Sequence, residues 1–97
     1  MPVFMMFGKY TRDSIGKASA QRTKKAVKII EKNDGKVISM YALLGEHDLV
    51  FTLEFPDAEK ALSTSVALNR LTGISFSTSP VVEVEEFDRL LSKIEKL

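Results

Sequence analysis

Six side chains in the sequence have the chemistry to hold or transform a small molecule and sit in or beside predicted strands: Lys9, Tyr10, Tyr41, His47, Asp48 and Thr52. Asp48 is the most informative of them. In Leu43-Leu44-Gly45-Glu46-His47-Asp48-Leu49-Val50-Phe51-Thr52 it heads a largely apolar strand. A carboxylate there needs a backbone N–H, a cation or a ligand. The alternatives carry equal weight: a structural hydrogen bond that fixes the hairpin, or a group that meets a bound molecule. Lys9, Tyr10 and Tyr41 could donate to a ligand from neighbouring strands, or could sit at a sheet edge with their polar ends in water. His47 is the single imidazole. Alternation along its strand places it with Leu49 on the helix-facing side, where packing or capping is expected rather than general base chemistry. Ser63, Thr64, Ser65, Ser75, Ser77 and Ser79 make the second half rich in hydroxyls. No base and orienting group lie near them in sequence to activate one as a nucleophile.

Composition narrows the classes further. The 97 residues are 44% hydrophobic and 28% charged, which suits one soluble domain spanning 1–97 with a single core. With no cysteine, disulfides, thiolate metal sites and thiol catalysis are excluded; one histidine is too little ligand chemistry for a zinc or haem-like site built from one chain, and no cofactor is called for. The opening Met1-Pro2-Val3-Phe4-Met5-Met6-Phe7-Gly8 is apolar but short, so it reads as a strand rather than a leader. No apolar run approaches the ~20 residues that cross a bilayer, so no membrane partner is expected and the location is expected to be cytoplasmic. Net charge is +1, distributed unevenly: eight Lys or Arg against three acidic residues up to Asp34, then six against ten. Lys17, Arg22, Lys24, Lys25, Lys28 and Lys32 read as a solvated helix face rather than a nucleic-acid patch.

The spacing of apolar and turn residues predicts the elements that position these groups. Val3–Tyr10 is a strand, and a helix capped by Thr11 or Asp13 runs to about Asn33, where Gly35 stops it. Lys36–Leu44 and His47–Phe55 flank Gly45-Glu46 as a two-residue hairpin. Asp57 caps a helix that ends at Gly73. Ile74–Val84 is a strand bent or bulged at Pro80, and Glu85–Leu97 is a helix with Phe87, Leu90, Leu91, Ile94 and Leu97 in one stripe. The order β-α-β-β-α-β with a helix appended is α+β and ferredoxin-like: a four-stranded antiparallel sheet with two helices on one face.

Alternation then assigns the faces. Leu49, Phe51, Leu53 and Phe55 point to the helices, and Asp48, Val50, Thr52 and Glu54 point away. The first strand is apolar on both sides, with Val3, Met5 and Phe7 opposed to Phe4, Met6 and Tyr10. In the second, Ile38, Met40, Ala42 and Leu44 oppose Val37, Tyr41 and Leu43. Two helices cover only one face, so the other must be covered by something else. RNA is the less favoured cover: the strand positions where RNA recognition motifs stack bases hold Val50 and Thr52, and Asp48 would repel phosphate. A second sheet packed face to face around a partly polar cavity fits better.

The residues Lys9-Tyr10-Thr11, Arg22, Asp34-Gly35-Lys36, Tyr41, Leu44-Gly45-Glu46-His47-Asp48 and Glu54-Phe55-Pro56-Asp57, in that order, resemble the pattern of the GYD-domain family, of the dimeric α/β-barrel class. His47 stands in place of the tyrosine that gives the family its name, and Ser14 where a glycine is usual. The resemblance implies a homodimer, or a higher assembly of dimers, whose two sheets close into a barrel; it implies no particular reaction. The function expected is small-molecule binding between the two sheets. A cofactor-free monooxygenase and a structural or regulatory assembly subunit are the alternatives.

Overall fold

The computed structural model describes residues 1–97 and contains β1 (Val3–Lys9), α1 (Arg12–Gly16), α2 (Ala20–Lys32), β2 (Lys36–Ala42), β3 (Leu49–Glu54), α3 (Ala58–Thr72), β4 (Ser75–Val81) and α4 (Val84–Glu95). The four strands form one antiparallel sheet in the order β2-β3-β1-β4. Pleating sends alternate residues to opposite faces. Phe4 and Met6 of β1 and Phe51 and Leu53 of β3, with Phe55 just beyond, therefore meet Ala26 and Ile30 of α2 and Ala61 and Leu68 of α3 in one buried core. Phe4 and Phe55 pack edge to face with ring centroids 6.0 Å apart. No helix is long and apolar enough to cross a membrane.

Several boundaries follow the expected local signals. Asp57 caps α3 by accepting from the Lys60 N–H, and Gly73 ends that helix at φ 74°, a left-handed conformation that glycine adopts without penalty. Gly35 acts differently from expectation. Asp34 takes the positive φ of 62° after α2, while a Cβ at Gly35 would lie 2.5 Å from the Phe55 ring and 2.8 Å from Ile30. Glycine is needed there for close approach, not for handedness.

Four expectations are corrected. The helix drawn from Thr11 to Asn33 is two helices. Thr11 and Ser14 form a capping box on α1, and Ser19 starts α2 afresh by accepting from the Arg22 N–H. The hairpin is not a two-residue turn: β2 ends at Ala42, opposite Leu49. Residues 43–48 form a loop pinned where the Asp48 N–H donates to the Gly8 carbonyl and the Leu43 N–H to the Asp48 carbonyl. The register of β2 on β3 shifts between Val37 and Ser39, so Val37 joins Met40 on the helix-facing side rather than Tyr41 on the other. The β1–β4 register runs unbroken through Pro80, which is tolerated because β4 is an edge strand.

The terminal helix does not dock on its own chain. α4 buries none of its residues, and Phe87, Leu91 and Ile94 are 50%, 41% and 58% exposed. The radius of gyration is 15.1 Å, above the ~13 Å of a compact domain of about this length.

Candidate functional site

One end of the helix-facing side is not filled. In β1 the residue that follows the buried Phe4 and Met6 on that face is Gly8, paired with Leu49 on one side and Phe76 on the other. Because Gly8 has no side chain, Phe76, Ile74 and Leu49 pack in over it and together make the floor. A Cβ there would come within 2.9 Å of the Phe76 ring and 3.3 Å of Leu49. Above this floor, Ala26 of α2 and Leu68 of α3 close a cleft of about 190 Å³, ten of whose thirteen lining residues are hydrophobic. Phe51 and Phe76, with ring centroids 5.7 Å apart, form an aromatic wall.

The polar groups converge on one side of this cleft. Arg22 is its single charged lining residue, with Tyr10, Thr23 and Thr72 nearby in the lining. Arg22 belongs to the core-facing stripe of α2, four residues before Ala26 and eight before Ile30, both buried. Its guanidinium carbon lies 5.9 Å from the centroid of the Tyr10 ring, within range for a cation–π contact. One Nη1–H donates to the Ser14 carbonyl at the end of the short α1. The ion pairs of the chain are Lys9–Asp48, Lys60–Asp34 and Arg89–Glu86, so Arg22 has no carboxylate partner. A second, polar cleft shares Arg22 and Thr72 and is bordered by Lys17, Arg70 and Asp13. Arg22 therefore stands in the wall between an apolar cavity and a basic one.

Of the six residues singled out from sequence, Tyr10 borders the apolar cleft, and Tyr41 reaches its edge while its register beside Val50 turns its side chain to the open face. Lys9 and Thr52 lie on the opposite, open face by register, with Met5 paired to Thr52. Asp48 anchors rather than lines. Its Oδ2 accepts from the Tyr10 N–H at 2.9 Å and lies 3.5 Å from Lys9 Nζ. Lys9 Nζ also donates to the Gly45 carbonyl at 3.2 Å, tying the 43–48 loop to β1. His47 is not on the helix-facing side. It precedes β3, outside the pleat, and its ring packs against Phe7 of the open face with centroids 5.0 Å apart and the planes tilted by 39°. In sequence Arg22 stands among the lysines of a solvated helix face, which hides it as a site residue. Its i, i+4, i+8 relation to Ala26 and Ile30 is the signal that distinguishes it.

The open face carries Val3, Met5 and Phe7 of β1, Val50, Thr52 and Glu54 of β3, and Ser75, Ser77 and Ser79 of β4. No element of the chain lies across it: the helix packing of the sheet involves the face that carries the core.

Among solved structures, the chain is similar to the Mycobacterium tuberculosis leucine response regulatory protein (LrpA), with a TM-score of 0.56 and 11% sequence identity over 84% of this chain and 51% of that one. The likeness is one of fold, and the chain spans about half the length of that regulator. No curated protein matches the sequence significantly. The family model of the GYD domain matches residues 4–91, the region that contains both the Lys9-Tyr10-Thr11 and Asp48 motifs and the cleft at Arg22, and the chain accordingly belongs to the GYD-domain family.

Proposed function

We propose that the chain is a small-molecule-binding domain whose ligand occupies the cleft between the sheet and α2 and α3, and that it works as a homodimer joined through the open sheet face. The observation that carries the binding reading is the cleft between the sheet, α2 and α3, which is apolar on most sides and polar at Arg22 and Tyr10. Ligand sites have that make-up: apolar lining with a few convergent polar groups. Binding is favoured over turnover because the cleft is lined by arginine, tyrosine and threonine. General acid–base catalysis at neutral pH calls for a group poised near that pH. A leucine response regulatory protein shares the fold, which puts small-molecule response among the uses of this architecture, by analogy only.

Self-association is supported by Val3, Met5, Phe7 and Val50, which the chain leaves without a packing layer on the open face. A second sheet laid over them would give the dimeric barrel that the family pattern implies. A second location for a ligand follows from the same face. Ser39, Thr52, Met5 and Ser79 share one cross-strand row, a mixed polar stripe that could border a cavity between two sheets.

Amide-shift mapping by NMR, with single-ring compounds titrated into the isotopically labelled protein, distinguishes these locations. Shifts clustered on Ala26, Leu68 and Phe76 are expected. Shifts on Thr52 and Ser79 would move the site between the sheets, and none at millimolar ligand would remove the binding reading.

A further inference from the structure

We propose that the cleft selects a monocarboxylate carrying one ring-sized apolar group, with the carboxylate paired to Arg22 and the apolar group against Phe51 and Phe76. The inference rests on the binding reading above and assigns it a ligand class. Size sets the first limit. A cavity of about 150 Å³ lined by apolar side chains holds benzene, so about 190 Å³ takes one ring and a short substituent.

Charge sets the second. Arg22 is the single charged residue of the lining, and its guanidinium is satisfied within the chain by one carbonyl and one aromatic face. Five N–H donors in a planar fork leave it able to take a carboxylate on its remaining edge. Neighbouring groups favour an anion too. The adjoining polar cleft has Lys17 and Arg70 against Asp13, a positive surround that concentrates anions at Arg22. The hydroxyls are less available for selection: Thr72 Oγ1 donates to the Leu68 carbonyl and accepts from the Ile74 N–H, and Thr23 Oγ1 donates to the Ser19 carbonyl. Tyr10 Oη makes no hydrogen bond within the chain, so the second donor open to the ligand is the tyrosine that Arg22 covers.

The test compares phenylacetate with 2-phenylethanol, which keeps the ring and linker and loses the charge, by calorimetry and amide-shift mapping. Phenylacetate is expected to bind at least about tenfold more tightly, the scale of one charge-assisted hydrogen bond. Arg22→Gln should abolish that preference by bringing phenylacetate affinity down to that of 2-phenylethanol, and Arg22→Lys should retain part of it. Because Arg22→Gln also loses the Ser14 contact, its fold is checked by melting, and Arg22→Lys carries the argument if the glutamine variant unfolds. Equal affinity of the two probes overturns the carboxylate assignment and leaves the cleft reading standing. Unchanged phenylacetate affinity in Arg22→Gln, or its complete loss in a folded Arg22→Lys together with 2-phenylethanol, overturns the pairing to Arg22. Binding of neither probe to the wild-type protein overturns this inference with the binding reading itself.

Discussion

The Asp48 carboxylate accepts the backbone N–H of Tyr10 at 2.9 Å, so a residue outside the cleft fixes the start of the segment that carries a cleft residue. From Tyr10 the chain turns at once into the Thr11 cap of α1, and α1 ends near the carbonyl that holds Arg22. Asp48 thus helps to position Tyr10 and Arg22 without itself lining the cleft. Its side chain is 17% exposed and that of Lys9 53%, so the hydrogen bond outweighs the ion pair: an ion pair that open to water is worth ~0–1 kcal/mol. An unpaired part-buried N–H costs about 1–3 kcal/mol. Asp48→Ala should therefore destabilise the fold by roughly 1–3 kcal/mol, and Asp48→Asn, which keeps an acceptor, by less. Lys9→Met should cost under ~1 kcal/mol. Urea unfolding at one fixed protein concentration orders the three variants. Lys9→Met being the most damaging would reverse the assignment.

How much of this was legible in the sequence depended on how local the cause is. Asp57 and Gly73 mark the ends of α3 by bonds to residues within a few positions, and the Leu49-Phe51-Leu53-Phe55 alternation needs only a pleat. Such signals were readable. The break between α1 and α2 was not: Gly16 and Ser19 are weak signals against the long helical periodicity on either side. The 43–48 loop depends on the Asp48 N–H finding the Gly8 carbonyl forty residues earlier in the chain, so Gly45-Glu46 could pass for a tight hairpin. His47 then left the strand, and its parity was lost. The cleft is illegible in sequence for a related reason, since its floor is a row across β2, β3, β1 and β4 in which Leu49 and Phe76 meet over Gly8.

The glycines separate the cleft from the core. Gly8→Ala should push the Phe76 ring, 2.9 Å from the added Cβ, toward the cleft. Because that ring is the far end of a side chain, the fold should survive with a loss of about 1–2 kcal/mol and weaker ligand binding. Gly35→Ala meets both the Phe55 ring and the Ile30 carbonyl oxygen. Backbone cannot yield as a ring can, so a loss of at least ~2–3 kcal/mol is expected. Gly16, with nothing within 4 Å of an added Cβ, should accept alanine with a change within about 1 kcal/mol. Melting temperatures of the three variants test the ranking, and ligand titration of Gly8→Ala tests the floor.

On the open face, Val50 lies between Tyr41 and Phe7 in register, at the centre of the surface proposed to meet a second copy. Val50→Lys would bury an unpaired charge in that contact while leaving the core side of β3 intact. Self-association should weaken by at least about a hundredfold, equivalent to roughly 2.7 kcal/mol, with the far-ultraviolet dichroism unchanged. Sedimentation velocity over a range of concentrations reads the difference. A Val50→Lys dimer as tight as the parent would place the interface elsewhere.

The terminal helix supplies the last prediction. Phe87, Leu90, Leu91 and Ile94 line one side of α4, yet the helix buries nothing against its own chain. An amphipathic stripe of that kind is stable as a helix chiefly when its apolar side is packed. The partner proposed for it is a second copy of this chain, because α4 follows directly on β4, the edge strand of the sheet whose open face is itself uncovered. Removing Phe87–Leu97 should then leave the core resonances of Phe4, Met6, Leu53 and Phe55 in place, since none of the core residues belongs to α4. It should also weaken self-association, so that the melting temperature of the shortened chain depends less on protein concentration than that of the parent. If shortening instead collapses the core spectrum at low concentration, α4 stabilises its own subunit. An unchanged concentration dependence would mean that it contributes to neither.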